Sequence, residues 1–140
     1  MSRKPKAKFP GNISVIMPAY NAATWLPKSI PLIAEELKKA NVSNAEIIVV
    51  DDGSSDGTSL TAKSLKLDYP LRVVKQDNAG RFIARSNGVK VAKYDYVLFV
   101  DTRIYIGKGG LGFIGGKLTQ SKEKSVWTSH VVIDRTSNIY

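Results

Sequence analysis

The stretch "EIIVVDDGSSDGT", Glu46 to Thr58, decides the fold. Ile47, Ile48, Val49 and Val50 are β-branched and apolar, with no polar residue alternating between them. Such a run suits a strand covered on both faces, as in a parallel sheet. Asp51 and Asp52 follow directly, and Gly53, Ser54 and Ser55 make a turn. Asp56 is placed to cap a helix expected from Gly57 to Leu67. A buried strand that turns at once into a helix is half of a βαβ unit.

The same alternation extends in both directions. "ISVIM", Ile13 to Met17, reads as a strand that ends at Pro18, with Tyr20 and Asn21 in the turn beyond. Trp25 to Ala40 reads as a helix, because Leu26, Ile30, Ile33, Ala34 and Leu37 fall near helical spacing. Pro27 suits a first turn, whereas Pro31 is expected to strain or kink the helix. "LRVVK", Leu71 to Lys75, is a third strand, and Arg81 to Ala92 a third helix after a loop marked by Asn78 and Gly80. "YVLFV", Tyr96 to Val100, is a fourth strand, ending at Asp101. The Gly-rich stretch Gly107 to Gly116 is expected to open a short helix running to about Ser121. "SVWTSHVVID", Ser125 to Asp134, alternates and reads as a fifth strand. This order predicts an α/β fold: a doubly wound, mostly parallel sheet with helices on both faces. In such sheets ligands bind outside the carboxyl ends of the strands. Pro18 to Asn21, Asp51 to Ser54, Asp77 to Gly80 and Asp101 to Arg103 are therefore expected on one edge.

Composition bounds the chemistry. The chain has 140 residues, 43% of them hydrophobic, which suits one globular domain. It has no cysteine, so a disulfide scaffold, a thiolate metal site and a cysteine nucleophile are excluded. Its one histidine, His130, cannot build a histidine-rich metal centre. Of the net charge of +9, Arg3, Lys4, Lys6 and Lys8 lie in "MSRKPKAKFPG". We read residues 1–11 as a flexible basic tail and 12–140 as the domain. The tail lacks the apolar core of a signal peptide. Nowhere do about 18 apolar residues run together. The remaining positive excess suits an anionic ligand. Specific nucleic-acid binding is not expected, since only charge and the tail speak for it.

Adjacent residues on a strand point to opposite faces. Asp51 and Asp52 are therefore not expected to act as a catalytic dyad on one atom. One should fix the loop, while the other faces a ligand, as acceptor for a base or sugar or as a metal ligand. Neither a Walker A loop nor a G-x-G-x-x-G fingerprint is present. Arg103 shares a side with Asp101 if the chain stays extended there, and could hold a phosphate in bidentate fashion. A salt bridge to a neighbouring acid is the alternative. Arg81 and Arg85 stand four apart on one helix face and could reach the same edge.

Together, "SVIMPAYN" (Ser14 to Asn21), "EIIVVDDGSSDGT" and "NAGRFIARSNGVKVAKYDYVLFVD" (Asn78 to Asp101) resemble the family-2 glycosyltransferases, which have the GT-A fold. The resemblance covers about residues 12 to 105. It implies that the strand-end loops bind a nucleotide-diphosphate sugar, most simply a UDP-sugar. Pro18, Ala19 and Tyr20, with Asn21 beside them, would line the nucleoside pocket. Asp52 would accept from the base, with Asp51 and Ser54 in the same loop. Arg81 would lie where family members place a base-contacting arginine. Asp101 would match the first acid of the D-x-D motif, followed by Thr102, and would be the one metal ligand left. Arg103 stands where the second acid is usual, and an arginine has no lone pair for Mg²⁺ or Mn²⁺. A divalent cofactor is thus in doubt: either Arg103 neutralises the diphosphate itself, or the donor site is altered.

Family members usually continue for another half that carries acceptor contacts and the base. The domain is accordingly expected to be truncated, with acceptor and catalytic base unassigned; Asp134 has no placement as that base. The implied function is inverting glycosyl transfer to an acceptor hydroxyl. The alternative is a non-catalytic nucleotide or nucleotide-sugar binding module of the same fold. A phospho-receiver domain would put its acid pair after the first strand, not the second. The expected localisation is cytoplasmic, or at the cytoplasmic face of a membrane, touched through the basic tail or a further C-terminal region.

Overall fold

The computed structural model describes Phe9 and residues 11–121. The basic residues Arg3 to Lys8 and the strand expected at Ser125 to Asp134, with His130, lie outside the described residues. Four strands, β1 (Ile13–Ala19), β2 (Ala45–Asp52), β3 (Leu71–Gln76) and β4 (Tyr96–Phe99), alternate with four helices. The helices are α1 (Leu26–Lys39), α2 (Thr58–Ser64), α3 (Arg81–Val91) and α4 (Gly110–Gln120). All strand pairs are parallel, in the order β3-β2-β1-β4. The expected doubly wound architecture is therefore present.

The two central strands are buried at every position, as their unbroken apolar runs require. Alternate residues feed two cores. Val15, Met17, Ile47 and Val49 pack with Leu26 and Ile30 of α1, Ala62 of α2 and Leu111 of α4. Ile16, Ile48 and Val50 pack on the other face with Ala84 of α3. Each such aliphatic side chain contributes about 1.5–3 kcal/mol through burial.

Several boundaries move from their sequence-based positions. β1 runs on through Pro18 and Ala19, and β2 through Asp51 and Asp52, so both acids lie within the strand. Pro18 is tolerated because β1 pairs with β4 only as far as Ile16, opposite Phe99. The missing proline N–H therefore faces no ladder partner. Helix α1 continues through Pro31 as one element from Leu26 to Lys39. Helix α2 is shorter than expected: it begins after Gly57, at a φ of 83°, and ends where Leu65 turns extended.

Gly88 sets how closely α3 approaches the sheet. A β-carbon there would lie 2.4 Å from Cγ2 of Ile16 and 3.3 Å from Cγ2 of Val50. Both neighbours are buried, so neither can swing aside freely. Gly88→Ala should therefore destabilise the domain by about 1–3 kcal/mol, despite the better helix propensity of alanine. Thermal melting checks this, and an unchanged or raised midpoint would show that α3 does not rest on the sheet through this glycine.

Candidate functional site

The carboxyl edge of the sheet gathers the loops after β1, β2, β3 and β4. The pleat of β2 splits its two terminal acids. Asp51 faces α2: its Oδ1 accepts from the Ser54 N–H at 2.9 Å, and its Oδ2 accepts from the Ser59 hydroxyl. Asp52 faces α3: its Oδ1 accepts from Nε2 of Gln76 and the N–H of Ala79, both at 2.8 Å. The Gly80 N–H donates to its Oδ2 at 3.0 Å. Both acids are about 95% buried, at 4% and 5% exposure. A carboxylate offers about four acceptor positions. Asp52 thus holds the loop that starts α3 and keeps one position on Oδ2 for a further donor. Gly53, at a φ of 77°, lets this turn pass close to Asn78.

The first two loops are latched together. Asn21, in the left-handed region at a φ of 48°, donates its N–H to Oγ of Ser54 at 2.9 Å. Its side-chain oxygen accepts from the Ser55 N–H at 3.0 Å. The Ala22 N–H donates to Oγ1 of Thr58 at 2.9 Å, and the Ala23 N–H to Oδ2 of Asp56 at 3.0 Å. Asp56 precedes the cap position and accepts from the Thr58 N–H with its Oδ1. Asn21 and Ser54 thus shape the edge by holding one loop to the other. Beside them, Ala19 is buried and Tyr20 is 55% exposed, its ring free to meet a ligand.

At the third corner the chain turns rather than staying extended. The Ile104 N–H donates to the Asp101 carbonyl at 3.0 Å, and Thr102 is buried. The turn carries Arg103 away from Asp101, and its guanidinium lies 5.3 Å from the ring centre of Trp25. Asp101 is instead met by α3. Nη2 of Arg85 donates to its Oδ1 at 2.9 Å, and Nη1 of Arg81 approaches its Oδ2 at 3.5 Å. Among the described residues no three acids, imidazoles or thiols gather as a metal set. With both oxygens of Asp101 facing guanidinium groups and Arg103 unable to ligate, this corner does not fit a divalent cation.

At the opposite end of β2, Glu46 was not singled out by its position in the sequence. It accepts from the Ser14 hydroxyl at 2.7 Å, from Nη2 of Arg72 at 2.8 Å and from the Lys93 N–H at 2.6 Å. Only the strand register, with Ser14 opposite Glu46, reveals this structural hub.

The family model described as Glycosyl transferase family 2 matches residues 14–102. Glycosyltransferase GlyA of Streptococcus pneumoniae is 36% identical over 95 residues, covering 67% of this chain and 13% of that protein. The uncharacterized glycosyltransferase YibD of Escherichia coli is 39% identical over 90 residues, covering 64% and 25% respectively. These matches span only 12% to 29% of the relatives' own lengths. Among solved structures, S. aureus TarS 1-349 in complex with UDP overlays with a TM-score of 0.65 at 24% identity. It covers 84% of this chain and 38% of that one. A mannosyltransferase from Pyrobaculum calidifontis, in complex with GDP-Man and Mn²⁺, overlays at 0.63 and 21% identity, covering 89% and 37%. Both share the GT-A fold.

Burial by itself would raise the Asp51 carboxyl. The hydrogen bonds from Ser54 and Ser59 outweigh it, helped by the charge of Lys75, and hold Asp51 below the usual carboxylate range. Glu46 is lowered in the same way, its burial outweighed by the Lys93 N–H, the Ser14 hydroxyl and Arg72. A lowered folded value contributes stability that is complete above the unfolded value of about 4 and is lost as pH falls through the folded one. The melting temperature should accordingly stay level near neutrality and drop below about pH 4. Asp51→Asn should lower stability at neutral pH and make that acid limb shallower. An acid limb of unchanged slope in Asp51→Asn would show that the carboxylate carries no such linkage.

Proposed function

Because the chain belongs to glycosyl transferase family 2, we propose that its carboxyl edge binds the nucleotide-diphosphate sugar donor of an inverting glycosyl transfer. The observation that carries this reading is the convergence of Tyr20, Asp52 and the Arg81–Arg85–Asp101 group at that edge. Pro18, Ala19 and Tyr20 form the wall for the nucleoside. The remaining acceptor position of Asp52 takes an imide N–H, which favours uracil. Arg81 approaches Asp101 at 3.5 Å, so in this reading it faces the diphosphate beside the Asp101–Thr102–Arg103 turn, and not the base that the resemblance gives it. TarS is solved with UDP and with UDP-GlcNAc, which supports a uridine nucleotide as the first ligand to try.

In transfer, the acceptor oxygen displaces the diphosphate at the anomeric carbon with inversion, and its proton passes to a base. This chain's contribution is to hold the donor and to set cationic side chains beside the departing diphosphate, whose charge grows as the bond breaks. Binding takes place in the cytoplasm in this reading. Among the described residues no helix is long and apolar enough to cross a membrane. The basic tail would supply any contact with a membrane surface.

Isothermal calorimetry with uridine, UDP and UDP-sugars tests the reading. Asp52→Asn and Asp52→Ala should each weaken both uridine and UDP by about 1–3 kcal/mol through the lost charge-assisted hydrogen bond. Unchanged uridine affinity in a folded Asp52 variant would overturn the base assignment. Tight UDP-sugar binding without transfer to any of a panel of hydroxyl acceptors would favour the binding-module alternative.

A further inference from the structure

The D-x-D position of this chain reads Asp101–Thr102–Arg103, and its three side chains go three different ways. Thr102 is buried, Arg103 lies over Trp25, and Asp101 is turned to α3. The carboxylate that would hold a divalent cation already faces two permanent cations. A metal ion at Asp101 would stand within a few ångströms of the Arg85 and Arg81 guanidinium groups, and like charges at that distance repel strongly where water is partly excluded. Asp51 and Asp52, the buried acids of the edge, already accept from Ser54, Ser59, Gln76, Ala79 and Gly80.

The two arginines have the geometry of an anion clamp. They stand four apart on α3, so both project from one helix face. Helix α3 is seated on the sheet by Gly88 and Ala84, which fixes where the pair stands. The Arg85 guanidinium lies 5.7 Å from the ring centre of Phe99. Its Nε–H is buried and finds no acceptor. Asp101 therefore takes Arg85 through one terminal nitrogen, not through the two-pronged pairing that carboxylates and phosphates both permit. The pairing is incomplete on both sides, since Arg81 is only at 3.5 Å.

We propose that Asp101 is a placeholder anion for Arg81 and Arg85, and that the donor's diphosphate displaces it and is held by these two arginines without a divalent metal. This rests on the donor-site reading above. The consequence is an inverted role for the acid. In a metal-dependent site, removing a ligating carboxylate weakens diphosphate binding. Here, removing it frees two guanidinium groups from a competitor and strengthens binding.

The test is calorimetry on the full 140-residue chain with UDP, GDP and uridine, in excess EDTA and in millimolar Mn²⁺. UDP is expected to bind in EDTA, with a Kd that Mn²⁺ changes less than about twofold. Asp101→Asn should tighten UDP about three- to tenfold in EDTA and leave uridine unchanged, the range expected for releasing a partly exposed ion pair. Arg85→Gln and Arg81→Gln should each weaken UDP while sparing uridine, a comparison that stands even if Asp101→Asn fails to fold. Tightening of UDP by Mn²⁺ about tenfold or more in the unmodified chain would overturn the proposal. So would weaker UDP binding by folded Asp101→Asn in EDTA. If none of the three ligands binds in either buffer, the donor-site reading itself fails and this inference with it.

Discussion

At the end of β2 a single step along the chain sends two carboxylates to opposite faces of the sheet, and the rest of the edge hangs from them. Asp51 holds the turn into α2 through Ser54 and Ser59. Asp52 reaches across β3 to Gln76 and collects the amides that open α3. Neither acid could do both tasks, because the pleat denies each one the other's face. The Asn21 latch then joins the β1 loop to the turn that Asp51 has fixed. The edge is thus a chain of dependencies that begins at two adjacent residues.

Burying two negative charges at adjacent positions is expensive unless each is fully hydrogen-bonded. Each carboxylate oxygen here accepts at least one hydrogen bond, and three of the five donors are backbone amides of the loops themselves. Carboxylates used in this way organise loops that have few apolar contacts of their own. Glu46 does the same at the amino end, tying β1, β3 and the segment before β4 to one strand. β2 therefore carries a structural anion at each end. The corner at Asp101 differs, because there the partners are arginine side chains and not backbone amides, and the pairing is incomplete.

The elements were legible because the signals were strong and local. "IIVV" in β2 and "VIM" in β1 have no polar break, and both strands are buried throughout. The boundaries were less legible, since strand pairing carried β1 through Pro18 and β2 through both acids. The opposite placement of Asp51 and Asp52 followed from the pleat alone, and the structure gives each a different loop to hold. What the sequence did not reveal was which cation meets Asp101. The spacing of Asp101 and Arg103 suggested a shared side only for an extended chain. The turn closed by Ile104 decides otherwise, and Arg85 arrives from an element 16 residues away. Glu46 escaped notice for the same reason: its partners are distant in sequence and near only in register.

The central position of β1 has a consequence for how the chain is made. β1 lies between β2 and β4, and its residue Ile13 must await Tyr96 on one side. Those two positions are 83 residues apart (96 − 13). At a synthesis rate of roughly 5–20 residues per second, the apolar flank of β1 stays open for roughly 4–17 s after it is made. During that interval the nascent protein presents an unpaired edge and half a core. We expect ribosome-bound chains ending before Tyr96 to be cut readily by protease within β1, and chains with β4 outside the ribosome to resist. Equal resistance in both would mean that β1 is protected early by α1 and β2 alone. Sheet order thus becomes a schedule, in which β1, made before both of its neighbours, is enclosed only when the later one arrives.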